Sequence, residues 1–167
     1  GLGLEPGHAE YEPLRLRFLE LYAANICRET RLFDGILELL AALEDRVLPW
    51  GIVTNKAEWL TLPLLRELRL DRRAACIVGG DTTPRAKPHP DPLLHAASQL
   101  GLPPAACLYV GDDLRDVQAA RAAGMPVLAA GYGYLGEEAE PLRWEADAVI
   151  SHPLEVLNHV GAAPRVG

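Results

Sequence analysis

The sequence is short of cysteine, of aromatic residues and of basic charge, and each shortage removes a class of protein. Its three cysteines, Cys27, Cys76 and Cys107, are odd in number, far apart and form no C-x-x-C pair. Neither a disulfide framework nor a zinc site is indicated, and a reducing, cytoplasmic setting fits best. Lys and Arg number 16 against 23 Asp and Glu, a net charge of -7. Neutralising a phosphate backbone needs clustered cations, so a nucleic-acid partner is disfavoured, while a small anionic ligand held by local groups stays open. No apolar run approaches the length of a membrane span, which disfavours a membrane partner. The opening GLGLEPGHAE has no basic region followed by an apolar one, so it is not a signal peptide. The initiator Met is absent too, and the chain is expected to begin downstream of its gene's start. No internal repeat is visible.

What is present is ordinary globular material. Hydrophobic residues make up 49% and charged residues 23% of 167 positions, enough for one compact domain plus an appendage and too little for two full domains. Leu14, Phe18, Leu21 and Tyr22 recur at helical spacing within residues 10–29, and a second helix is expected over 34–46 with Asp34 as its N-cap. Strand-like runs at 48–54, 74–78, 107–110, 126–130 and 147–150 then alternate with helical patterns at 57–70, 91–101 and 114–124, and a closing helix is read from Pro153 to Val160. Short apolar strands separated by helices call for a parallel sheet covered on both faces, a doubly wound, Rossmann-like α/β fold.

In such a sheet the loops at the carboxyl ends of the strands hold the ligand. Three of them carry unusual chemistry. Thr54 and Asn55, in VTNK, end a strand just before a helix, where a hydroxyl and free backbone N–H groups suit a phosphate oxygen and where Thr and Asn are also favoured simply as caps. Lys87, in RAKPHPDP, precedes three prolines that stiffen its support. A stiffly held ammonium can neutralise a phosphoryl group, and a surface lysine in a rigid turn has the same sequence. In CLYVGDDLRDV, Gly111 lets the chain turn sharply, and Asp112 and Asp116 stand four apart at a helix start. Helix-dipole complementarity accounts for one or two such carboxylates, but not for a strand ending in Gly-Asp-Asp. Mg2+, a hard cation that takes one or two carboxylates plus substrate phosphate, accounts for it. Asp113 is expected to point elsewhere or to support the loop, and His89 and His95 lack metal-ligand spacing.

Taken in order, GIVTNK, AKPHPDP and YVGDDLRDVQAARAAG resemble the haloacid dehalogenase-like superfamily of phosphatases, from Leu32 to Leu157. VGGDTTPRAKPHPDPLL is similar to its phosphoglycolate phosphatase branch. Within that branch FDGILELL, WGIVTNK, VGDDLRD, GYGY and the closing W-x-A-D-x-V-I-x-H-P-L-E are similar to bacterial N-acetylmuramic acid 6-phosphate phosphatases of cell-wall recycling. The resemblance implies a Mg2+-dependent hydrolase of a small phosphorylated metabolite. Thr54 would donate to the phosphoryl oxygen with the Asn55 backbone beside it, and Lys87 would pair with the phosphoryl group and the nucleophile. Asp112 would ligate Mg2+ directly, and Asp116 would act indirectly. The family's reaction passes through an aspartyl-phosphate, hydrolysed by water that a second Asp activates.

The chain departs from the family at one point. The nucleophile and the acid/base belong to a D-x-D-G-T-type motif on the family's first strand, and the sequence contains none; Phe33-Asp34-Gly35 lacks the second Asp and a preceding strand. Residues 1–30 resemble the last part of a helical cap and 31–167 the α/β core without its first strand. That strand lies between those ending at Thr54 and Asp112, so its loss leaves two inner edges unpaired. A fragment of a longer enzyme, inactive by itself, is therefore expected. A pseudo-enzyme that binds phosphate and metal without turnover is the alternative from another class. A receiver-type signalling domain is disfavoured because its acidic pair comes early in the chain. GYGY and Trp144 are open to a sugar contact or to a structural role. Substrate choice between N-acetylmuramic acid 6-phosphate, phosphoglycolate and other small monoesters, and the oligomeric state, are not legible.

Overall fold

The strands and helices alternate because apolar runs of strand length end at glycine or proline and amphipathic runs follow them. The computed structural model describes residues 30–134 and 140–161, together with His8, Glu10, Pro13, Leu14 and Arg17. The chain falls into two units, Gly1–Arg31 and Leu32–Gly167. Most of the helix expected over 10–29 lies outside the described residues; Pro13, Leu14 and Arg17 are helical.

In the second unit the order among the described residues is α1 (Ile36–Asp45), β1 (Gly51–Val53), α2 (Glu58–Glu67), β2 (Cys76–Val78), α3 (Asp91–Leu100), β3 (Tyr109–Gly111), α4 (Leu114–Ala123), β4 (Val127–Ala130) and β5 (Ala148–Ile150). Every strand pair is parallel. Side chains leave successive strand residues on opposite faces. Ile52, Val110, Leu128 and Ile150 therefore meet Leu39, Leu40, Leu43 and Val156 on one face. Tyr109, Val127 and Val53 meet Leu93, Ala97, Val117 and Ala120 of α3 and α4 on the other. Leu93, Leu128, Ile150 and Val117 are fully buried, each contributing about 1.5–3 kcal/mol of apolar burial. This is the two-faced parallel α/β architecture that the pattern predicts.

Three local expectations need correction. Asp34 does not cap α1: Gly35 stands at the cap with φ 86° and no side-chain hydrogen bond. A Cβ there would lie 2.5 Å from the imidazole of His152, so the left-handed turn admits only glycine. The closing helix is a 3-10 helix, Pro153–Asn158, capped by His152 through its Nδ1 and bonded from Glu155 N–H to the His152 carbonyl. The run expected as a strand over 48–54 is strand only at Gly51–Val53, since its ladder is set by the three residues of β2 opposite.

The sheet is in two pieces: β1–β2, and β3–β4–β5. The facing edges, β1 and β3, are separated by a slot of about 710 Å³ lined by Ile36, Leu40, Trp50, Ile52, Leu108 and Val110. The Trp50 carbonyl and Thr54 N–H bond toward β2, as does Tyr109 N–H toward β4. By alternation the backbone groups of Val53 and Val110 face the slot. No helix among the described residues is long and apolar enough to cross a membrane.

Candidate active site

The carboxyl ends of β1 and β3 open onto the slot, and the loops that follow them are locked to one another. Asn55, just past β1, donates its side-chain Nδ2–H to the Lys87 carbonyl at 2.9 Å and accepts the Lys87 N–H at 3.0 Å. One amide thus grips both sides of a lysine backbone 32 residues away. The sequence offers Asn55 as a backbone donor; the structure commits its side chain to holding Lys87. Gly80 makes room for this loop, since a Cβ there would lie 2.1 Å from the Asn55 carbonyl oxygen.

Lys87 runs inward to a nearly closed site, its side chain 9% exposed. Its Nζ donates to the Val53 carbonyl at 3.1 Å, to the Tyr109 hydroxyl at 2.9 Å and to Asp116 Oδ1 at 2.6 Å. An ammonium has three donors, and all three are used. Asp116 is buried, and its other oxygen accepts the Asp113 N–H at 3.2 Å, which ties the loop after β3 to the first turn of α4. Gly111 is required here for close approach, because a Cβ would sit 2.3 Å from that of Asp116.

Asp113 is the N-cap of α4 and completes a capping box with Asp116. It accepts from Arg115 N–H at 2.8 Å and is clasped by the Arg115 guanidinium, which together hold its carboxyl down to about 2. A depressed carboxyl contributes stability that is present above the usual value near 3.8 and is lost as pH falls toward 2. Unfolding midpoints at pH 5 and pH 2.5 should therefore differ less in Asp113→Asn than in the wild type. An equal pH effect in both proteins would show that the clasp adds nothing.

Asp112 stands apart from this network. Its Oδ2 accepts the Tyr134 N–H at 3.0 Å, and Gly133 lies so close that a Cβ would be 2.2 Å from the Asp112 Cβ. Its Oδ1 has no hydrogen-bond partner among the described residues, and Asp112 lines the slot. Thr54 accepts the Lys56 N–H at 3.1 Å through Oγ1, a local turn rather than a helix cap, and so keeps its hydroxyl proton to give.

The structure thus gathers Asn55, Lys87 and Asp116 into one network, with Thr54 following Val53 on β1 and Asp112 at the slot. Sequence reasoning missed Tyr109, whose only signal is one hydroxyl in the apolar run CLYV, and the clasp of Asp113 by Arg115. Phe33, Tyr132 and Tyr134 form an aromatic group beside Asp112, with ring centroids 5.6 and 5.1 Å from Phe33. Trp144 packs instead against the core cluster to which α3, α4 and Val127 contribute. Burial pushes the Cys76 and Cys107 thiols up, so neither is a ready thiolate. Among the described residues no three His, Cys, Asp or Glu side chains converge as a ready-made metal cage.

This geometry can be set beside known proteins. The model of the haloacid dehalogenase-like hydrolase family matches residues 7–130. The chain is 43% identical over 156 residues to the N-acetylmuramic acid 6-phosphate phosphatase of Pseudomonas aeruginosa, covering 93% of itself and 69% of that protein. It is 48% identical over 136 residues to the phosphoglycolate phosphatase of Xylella fastidiosa, covering 81% of itself and 59% of the relative's length. The crystal structure of a predicted phosphoglycolate phosphatase from Haemophilus somnus 129pt superposes with a TM-score of 0.86 at 29% identity, over 93% of this chain and 68% of that one. A family model that spans most of the chain, and relatives at these identities, make this chain a member of the haloacid dehalogenase-like hydrolases.

Proposed function

We propose that this chain supplies the phosphate-binding and metal-binding part of a phosphate monoester hydrolase, whose nucleophilic carboxylate arrives on a strand seated in the slot between β1 and β3. The observation that carries this is the slot itself. Two parallel edges face each other across it, and Thr54, Lys87 and Asp112 all stand at its carboxyl end. A carboxylate delivered there would meet the hydroxyl of Thr54 and the ammonium of Lys87. Lys87 offsets negative charge on the phosphoryl group, Thr54 donates to one of its oxygens, and Asn55 keeps Lys87 in place. Asp116 balances the lysine's charge and holds the loop that presents Asp112.

Mg2+ fits the residues present. Asp112 offers an uncommitted carboxylate oxygen, and a cation that ordinarily takes one or two carboxylates with waters and substrate oxygens needs no larger protein cage. Asp116, whose oxygens already accept from Lys87 and from the Asp113 N–H, would act on the metal indirectly, through water or through the loop it anchors. When bound, Mg2+ would supply charge neutralisation for the phosphoryl group. For the substrate we favour N-acetylmuramic acid 6-phosphate. The 43% identical relative bears that name, and the aromatic group beside Asp112, half-buried at Phe33 and Tyr132 and exposed at Tyr134, suits the face of a sugar ring better than a two-carbon acid. Phosphoglycolate is the second reading, favoured by the relative that is 48% identical over a shorter span. The metal assignment is tested by calorimetric titration with Mg2+: Asp112→Asn should weaken binding at least tenfold, and equal affinity would remove Asp112 as the ligand.

A further inference from the structure

We propose that Tyr109 is the positioning residue for Lys87, a role that rests on the phosphatase reading and deepens it. Its hydroxyl lies 2.9 Å from Lys87 Nζ, 3.3 Å from the Val53 carbonyl and 3.4 Å from Asp116 Oδ1. One phenol therefore joins β1, β3, α4 and the lysine loop. The ring packs with the α3–α4 core, a duty phenylalanine would perform equally well, so packing alone does not call for the oxygen. A hydroxyl shut away from water costs free energy unless it is bonded. Here it is half-buried and bonded to the three groups it contacts, and desolvation, with the Asp116 charge beside it, holds its proton on. The phenol is thus a fixed neutral acceptor for one ammonium hydrogen.

The three acceptors around Lys87 are not equivalent. Asp116 is charged and nearest. The Val53 carbonyl lies on the edge of β1 that faces the slot, and a strand seated there would offer it a backbone N–H in place of the lysine. The ammonium hydrogen released by that exchange would then turn toward the slot, while Tyr109 and Asp116 keep hold of the other two. Without the phenol oxygen Nζ keeps its ion pair but can swing about Asp116. Charge neutralisation of bound substrate survives that change, and alignment in the transition state does not.

Two measurements test this. Lys56 and Lys87 are the only lysines in the sequence, so Lys56 serves as an internal reference. In the 167-residue chain, trinitrobenzenesulfonate labelling followed by peptide mapping should give a Lys87-to-Lys56 ratio at least fivefold higher in Tyr109→Phe than in the wild type. A merely structural role would raise both rates together through general loosening, and an unchanged ratio overturns the proposal. In the active protein completed by the slot-filling strand, Tyr109→Phe should lower kcat about tenfold with KM within twofold. An unchanged kcat likewise overturns it. A raised labelling ratio with no turnover even in the completed wild type would sink the phosphatase reading while leaving the positioning of Lys87 by Tyr109 intact.

Discussion

Mixed with a segment that carries a D-x-D-G-T-type strand, the 167-residue chain is expected to turn from an inert protein into a Mg2+-dependent phosphatase. On the proposed reading, the site among the described residues offers the Thr54 hydroxyl, the Lys87 ammonium and the Asp112 and Asp116 carboxylates, and the nucleophile comes with the added strand. The slot of about 710 Å³ between β1 and β3 has the apolar lining and, among the described residues, the two unpaired parallel edges that an inserted strand needs. Each edge group that gains a partner removes an exposed donor or acceptor, so the thermal midpoint should rise along with activity. Inorganic phosphate release is the readout, and N-acetylmuramic acid 6-phosphate should be turned over at least tenfold faster than phosphoglycolate. The reverse preference would move the assignment to the second reading. A well-folded complex without turnover would favour the binding-only pseudo-enzyme.

The second large effect is on stability. Lys87 and Asp116 form an ion pair at 2.6 Å with side chains 9% and 8% exposed. Removing one partner leaves a charge in the interior without its counter-ion, which costs about 3–5 kcal/mol. Lys87→Met should lose that much in denaturant unfolding. Lys87→Met combined with Asp116→Asn should lose less than the sum of the two single changes, because the second removes the charge that the first abandons. Additive losses would mean that the pair is not energetically coupled, and that Lys87 is held by Val53 and Tyr109 instead.

Local chemistry was legible and remote chemistry was not. Gly101 and Gly124 end α3 and α4 in the left-handed conformation, just where the helical patterns stop. In the strand-to-helix turn, Gly111 and Asp113 answer to Asp116 and Arg115 a few positions on, whereas Asp112 meets Gly133 and Tyr134 from a remote loop. Lys87 was marked by the prolines beside it, yet its grip comes from Asn55, 32 positions earlier, and its partners from β1, β3 and α4. No periodicity records which loops a fold will bring together. Gly35 shows the same limit at short range: Asp34 has the composition of a cap, and the choice fell to its neighbour because His152, from the far end of the chain, occupies the space a side chain would need.

The grip of Asn55 on both backbone groups of Lys87 carries an evolutionary consequence. The loop before α3 cannot gain or lose a residue near Lys87 without breaking one half of the clasp, so its length is fixed more firmly than its composition. An insertion there should cost stability that the same insertion in an unclasped surface loop would not.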